Sequence, residues 1–538
     1  MTQAIEDIAR AQRSSAVWIG YLAMCVGMFM AILDIQIVAS SLPEIQAGLA
    51  IPLDQLSWIQ TAYLIAEIIA IPLTGWLTQL LSLRSLFLAA VAGFTLASAG
   101  CAASGGFAVL IAFRIVQGFC GGAMIPAVFT AVFALFPERL HVRATTIAGS
   151  VAMLAPTLGP TLGGYITETY SWPWLFLVNT VPGLLSAMTA ALFLRTAPGD
   201  RSAVRRLDLV GLGFLVVTLA TLELALKEAP VRGWTDPASL ALLALCATSG
   251  AGAIHRCLTR TPPLVDLRLL RDCGFACSCF YSFVLGGGLY GSIYLLPRFL
   301  FYVRGHTALE IGEAMIVTGV AQLISAPVAA LLEKGVAARA LTACGYLLFA
   351  AGLIANGFIT PATDFPAADF PGLVWPQILR GGGIMLCILP TMAVALEGRH
   401  GAALAHASGL FNLMRNLGGA IWIALIDTIL EIRAPSHAAA LVARLQAGDP
   451  DAARFVGLPL ERFHNVPLGP IDAATKEFVQ PLVERAAATA SMNEAFLALG
   501  AFFLLSLLAL PWLRGTDNDT RPAGDPPVNY RRKTGLHG

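Results

Sequence analysis

Fourteen apolar stretches follow one another along this chain, separated by polar breaks. They fall at 16–40, 56–80, 85–103, 107–136, 144–166, 173–195, 208–228, 237–257, 274–301, 309–333, 339–360, 372–398, 403–432 and 492–514. A helix rises about 1.5 Å per residue, so about 20 apolar residues cross a hydrocarbon core about 30 Å thick. The pattern predicts an all-α polytopic membrane protein with 14 spans. The runs at 208–228 and 237–257 carry the weakest signal. Two segments fall outside the pattern. Residues 433–491 read as a long outer loop with helical stretches such as His437–Gln446, started by Ser436 as N-cap. Residues 515–538, rich in Pro, Gly, Asp and Arg, read as a disordered tail.

Charge gives the pattern a direction. If the N-terminus is cytoplasmic, Arg84, Arg139, Arg143, Arg205, Arg206, Arg268, Arg271 and Arg399 fall in inner connections. The short outer loops hold little beyond Arg232 and Arg304. The positive-inside rule then places both termini in the cytoplasm. The first apolar run is too long for a cleaved signal peptide and reads as a retained anchor. Composition agrees, with 57% hydrophobic and 12% charged residues against about 25% charged in soluble domains. A net charge of +1 provides no basic field for nucleic acid. The ten cysteines are scattered, mostly within apolar runs, so they suggest no disulfide framework. Cys273, Cys277 and Cys279 read as small packing residues rather than metal ligands. The chain has neither a Walker sequence nor HExxH, so no enzyme, metal or cofactor chemistry is expected.

Polar residues inside spans are the informative ones, because a charge at the bilayer centre costs about 2.5–3.5 kcal/mol on insertion scales. Asp34 in span 1 and Arg114 in span 4 lie at matched depth. At helical spacing Gly27, Met30 and Asp34 share a face, as do Arg114, Gly118 and Gly121. Burial and a neighbouring guanidinium act on a carboxylate's proton affinity in opposite directions. Such a pair suits proton loading and release, or a static ion pair. Glu67 lies mid-span on a stripe with Gln60, Tyr63 and Thr74 that should face a cavity. Gln117, Asn412 and Asn416, with Met30, Gln60 and Tyr63, are the further cavity candidates. Pro156 and Pro160 in span 5 free backbone carbonyls, and Gly159, Gly163 and Gly164 permit close helix packing.

These residues resemble the major facilitator superfamily, and within it the 14-span drug:proton antiporters of the EmrB/QacA type. LDIQIVASSLPEI around Asp34, WIQTAYLIAEIIAIPLTGW, RIVQGFCGGAMIP from Arg114, the Gly159–Gly164 stretch, PPLVDLRLLRDCGF and NLMRNLGGAIWIAL carry the resemblance in order. It implies six-helix bundles over 16–195 and 274–514, two inserted helices over 208–257, and a short N-terminal segment 1–15. It also implies alternating access and an inner-membrane location. Asp34 and Arg114 would couple to protons; Glu67 is unusual for the family at its position and is a proton-coupling candidate on its own mid-span placement. Gly159, Pro160, Gly163 and Gly164 would serve conformational exchange. Amphipathic small molecules and protons would be the cargo, with lipid around the helices. A periplasmic adaptor and an outer-membrane channel would engage residues 433–491. One departure stands out. The loop after span 2 has Gln79 where the family carries an acid and Ser82 where it carries glycine, so a charged latch is not expected there. The rival classes are a lipid or metabolite exporter of the same fold, an importer, and a receptor or membrane enzyme.

Overall fold

The computed structural model describes residues 2–51, 55, 58–196, 198–200, 208–261, 263–333, 335–363, 372–399, 401–468 and 473–513. The tail expected beyond residue 514 lies outside them. Seventeen α-helices and no strand occur among the described residues. They are α1 (Thr2–Ser40), α2 (Leu42–Leu49), α3 (Trp58–Leu81), α4 (Leu83–Ala102), α5 (Phe107–Leu135), α6 (Glu138–Thr169), α7 (Trp174–Leu177), α8 (Thr180–Phe193), α9 (Leu209–Arg232) and α10 (Pro237–Thr259). The second part holds α11 (Cys273–Phe299), α12 (Ala308–Leu332), α13 (Ala338–Asn356), α14 (Val374–Leu396), α15 (Gly401–Gln446), α16 (Pro450–Val456) and α17 (Ala473–Ser506). Twelve segments are long and apolar enough to cross a membrane. The long helices α6 and α15 pack among them.

The packing repeats. In the first part α1 packs on α6 and α8, α5 on α3 and α4, and α4 on α8. In the second part α11 packs on α15 and α17, α14 on α12 and α13, and α13 on α17. This is the same scheme, helix for helix. The two groups meet where α6 lies on α12 and α3 lies on α15. Large apolar side chains such as Leu96, Leu192, Ile324, Leu331 and Leu508 remain exposed on the outside. In water that pattern would be untenable, and in lipid it is the ordinary state of a spanning helix.

The weakest apolar runs form a paired helical hairpin, α9 and α10, and α9 packs on both α3 and α15. Asp208 caps α9 through Gly211 N–H at 3.0 Å and meets Arg256 of α10 at 2.5 Å. The hairpin turn is fastened to the second group by Trp234, whose indole N–H donates to Thr428 at 2.9 Å. Only 17% of the apolar window of α10 is buried, so it is the helix most open to lipid.

Two expectations need correction. Residues 433–491 are not a loop that begins where the membrane run ends. α15 continues without a break to Gln446 and α17 begins at Ala473, so both helices project beyond their apolar runs. A small core of Leu441, Leu445, Ala452, Val456 and Val483 fastens their ends to α16. Ser436 is not an N-cap, because it lies inside α15 with its hydroxyl donating to Arg433 O at 2.8 Å. A helix already propagating has no need of a new start, and Pro435 within it does not end it. The run at 173–195 holds one candidate span, Trp174–Phe193. Its helical hydrogen bonding is interrupted at Val178–Asn179, between α7 and α8, where both residues keep right-handed helical angles and Pro182 has no N–H for the carbonyl of Val178.

Candidate functional site

Asp34 and Arg114 meet. Arg114 Nη1 donates to Asp34 Oδ2, and both side chains are fully buried. Residues of α3, α4, α5 and the α7–α8 break complete the site. Gln117, one turn beyond Arg114 on α5, donates to Asp34 Oδ1 at 2.9 Å and to Ser98 Oγ of α4 at 2.8 Å. Its carbonyl accepts from Arg114 Nη1 at 2.8 Å. Asn179, at the break between α7 and α8, donates to the same Asp34 oxygen at 2.9 Å. Arg114 Nε donates to the Ile59 carbonyl of α3 at 3.0 Å. The Tyr63 ring lies 4.4 Å from the guanidinium carbon, and its hydroxyl donates to Ala31 O at 3.0 Å. One carboxylate thus ties α1 to α5 and to the α7–α8 break, and Arg114 ties the same point to α3. A buried ion pair with these extra donors offsets much of its desolvation cost.

Glycine makes the convergence possible. A Cβ on Gly118 would stand 2.2 Å from Tyr63 O, and one on Gly122 would stand 2.4 Å from Glu67 O. The α3 and α5 backbones touch along this stretch, with no room for side chains between them.

The structure separates the expected site residues into groups. Gln117 and Tyr63, expected to line a cavity, are enclosed in the ion-pair network with no exposure. Their hydrogen-bonding capacity is spent on Asp34, Ser98, Arg114 and Ala31. Met30 packs in the core toward Gly183. Gln60 is half-buried. Glu67 is 3% exposed and stands apart from the ion pair. The charges acting on it are Glu223 of α9, Arg114, Arg415 of α15 and Asp34, and it has no hydrogen bond to a described residue's side chain. Thr74 is turned inward and bonds Ala70 O at 3.2 Å. Asn412 accepts from Arg415 at 2.5 Å and donates to Ser408 O at 2.9 Å, while Asn416 accepts from the Tyr290 hydroxyl at 3.3 Å. Arg415 lies 5.8 Å from the Phe129 ring of α5, the helix that carries Arg114.

Gly159 is buried against α1, where an added Cβ would stand 2.3 Å from Gln36 Cβ. Gly163 and Gly164 are buried, and their carbonyls accept from Thr167 at 2.9 and 3.1 Å. The side chains of Pro156 and Pro160 lie outside the described residues. Where the charged latch is missing, a neutral contact spans the two groups. Gln79 Nε2 lies 2.9 Å from His406 Nε2, and Gly75 leaves room for that ring.

Sequence reasoning missed Ser98 and Asn179. Ser98 is one small residue among several and gives no signal. Asn179 does give one, since a polar residue three positions before a proline inside an apolar run marks a broken helix end.

Residues 24–423 match the Major Facilitator Superfamily profile. The chain is 37% identical over 421 residues to the "Colistin resistance protein EmrB" of Acinetobacter baumannii, covering 78% of this chain and 81% of the relative. It is 29% identical over 493 residues to the "Multidrug export protein EmrB" of Escherichia coli K12, covering 91% and 94%. Among solved structures, the human organic anion transporter MFSD10 superposes with a TM-score of 0.57 at 16% identity, over 92% of this chain and 99% of the other. That last likeness concerns the fold alone. With the repeated helix scheme, the buried Asp34–Arg114 pair and these relatives together, the chain belongs to the major facilitator superfamily, in its EmrB/QacA branch.

Proposed function

We propose that this protein exports amphipathic small molecules across the inner membrane in exchange for protons, by alternating access between the two six-helix groups. Fourteen helices cross the bilayer in this reading, α6 and α15 included, with both termini cytoplasmic. The supporting observation is the placement of Asp34. One carboxylate joins α1, α5 and the α7–α8 break, so its protonation state acts on three elements together. As a carboxylate it holds Arg114, Gln117 and Asn179. A proton on Asp34 weakens the ion pair, frees Arg114 and loosens α1 from α5. A proton drives transport only by favouring one conformation over the other, and this network gives it such a preference. One charge crossing 100 mV supplies about 2.3 kcal/mol. Glu67, between α3, α9 and α15, is a second candidate for proton or substrate contact. Gly159, Pro160, Gly163 and Gly164 keep α6 closely packed and able to slide. Gln79 and His406 form an uncharged latch that opens at low cost. The names of the relatives, multidrug export and colistin resistance, agree with drug export as the task.

Everted vesicles test the coupling. Asp34→Asn should abolish proton-driven accumulation of a fluorescent substrate, and accumulation at the wild-type rate would overturn the role of Asp34. In the same reading the projecting ends of α15 and α17 dock a periplasmic adaptor that leads to an outer-membrane channel. Replacing residues 447–472 by a short glycine-serine turn should abolish resistance in cells while vesicle transport persists. Resistance at the wild-type level would exclude docking through the hairpin.

A further inference from the structure

The repeated packing scheme places α14 where α5 stands in the first group, and α11 where α1 stands. Arg380 on α14 is therefore the counterpart of Arg114. It is 3% exposed. Its surroundings differ above all in the missing acid. Where α1 supplies Asp34, α11 supplies Ser292. Arg380 Nη2 donates to Ser292 Oγ at 2.6 Å and Nη1 donates to Gln377 Oε1 at 2.6 Å. No carboxylate among the described residues pairs with it or acts on it as a nearby charge. A buried guanidinium without a counterion is costly, and such charges are ordinarily paired.

Two donors in this cluster have no partner among the described residues, Arg380 Nε and Asn356 Nδ2. Ser292, Gln377 and Asn356 are themselves fully buried. A cavity opens beside them, lined by Ser292, Thr318, Gln322, Gln377 and Arg380 with an apolar side that includes Leu289. It has about 20 Å³ of space for the centre of a small group, enough for one water-sized occupant. Donors and positive charge surround this space, with no acid on its wall.

We propose that this cavity is a binding site for a single small negative charge, either a chloride-sized ion or the carboxylate head of an organic acid whose remainder stays outside the enclosed space. The guanidinium supplies the charge and a planar donor set suited to a carboxylate. Arg380, on the cavity wall, supplies a further hydrogen bond through its unpartnered Nε–H, and the enclosed space takes the charged head alone, so that the organic part of an acid lies outside it. The site needs no proton transfer and is independent of Asp34. The export reading bears only on what the occupant does there, and a binding measurement separates the two.

The test uses the full-length protein, purified in detergent or nanodiscs and held in Tris-sulfate at constant ionic strength. Thermal unfolding is followed while sodium benzoate or sodium chloride replaces the sulfate salt. The wild type should show a saturable rise in Tm, and the anion that saturates at lower concentration identifies the natural type of occupant. Arg380→Gln should weaken the apparent affinity at least tenfold. Ser292→Asp should do the same by another route, by giving Arg380 a built-in counterion, and it serves if Arg380→Gln fails to fold. A wild type indifferent to both anions overturns the site. So does a saturable response that survives unchanged in both variants.

Discussion

The two six-helix groups share a packing scheme and differ in how each treats its buried arginine. Arg114 faces a carboxylate held by Gln117 and Asn179, and its charge is balanced within the protein. Arg380 faces a hydroxyl and an amide, and its charge is unbalanced among the described residues. The first arrangement carries its own counterion, though Arg114 Nη2 has no hydrogen-bond partner among the described residues, and a proton on Asp34 alters it. The second is incomplete and can be altered by a ligand. A duplicated scaffold can thus carry two chemistries because a single position, aspartate on α1 and serine on α11, decides whether the arginine is satisfied.

The largest contrast should come from the arginines themselves. Arg114→Gln leaves Asp34 buried without its cation, and breaking such a pair costs about 3–5 kcal/mol. Arg380→Gln removes an unbalanced charge and should leave stability unchanged or raised in anion-poor buffer. Thermal or denaturant unfolding of the two variants side by side measures the difference. Equal losses at both sites would break the comparison. The next effect should be the same in both groups. A Cβ on Gly118 would stand 2.2 Å from Tyr63 O, and one on Gly381 would stand 2.3 Å from Thr318 O. Valine at either position overpacks a helix contact, at about 1–3 kcal/mol. Matching losses would confine the difference between the groups to charge, whereas a loss at one site alone would show that packing differs as well.

The smallest effect concerns the inserted hairpin, which belongs to neither group. The Arg256 guanidinium bonded to Asp208, helped by Gly211 N–H, holds the Asp208 carboxyl down at about 2. A depressed carboxyl contributes stability that is present above its unfolded value near 4 and is lost as pH falls toward 2. The cap of α9 should therefore behave alike from pH 8 to pH 5. Asp208→Asn should modestly speed hydrogen exchange in residues 209–212 across that whole range. Exchange in the wild type that quickens between pH 8 and pH 5 would exclude this account of the pair.

The all-helical membrane architecture and the pairing of Asp34 with Arg114 were legible in the sequence, because both follow from the length and polarity of apolar runs. The partners that complete the site were legible only in part. Gln117 stood out as polar but was read as facing a cavity, since periodicity assigns a residue to a face without naming what that face meets. Tyr63, whose hydroxyl meets Ala31 O, illustrates the same limit. Ser98 could not be found at all, because a small hydroxyl is common in packed helices and only its neighbours give it a role. The projecting ends of α15 and α17 were hidden because hydropathy ends a span where apolar residues end, while a helix continues as long as its backbone bonds do. The asymmetry between Asp34 and Ser292 was out of reach before the helix contacts aligned the two groups, since the relevant feature of Arg380 is a missing neighbour.

The length of α15 has a mechanical consequence. Its 46 residues form one helix, about 69 Å long at 1.5 Å per residue and more than twice the hydrocarbon thickness. One end carries His406 beside Gln79, and the other carries the small core shared with α16 and α17. Such a rod is a lever. Each degree of tilt about one end carries the other through about 1.2 Å by simple geometry. A rocking of the second group by 10° would sweep the hairpin tip through about 12 Å. Anything seated on that tip would feel each transport cycle as a displacement the size of a helix diameter, and would have to yield to it or be driven by it.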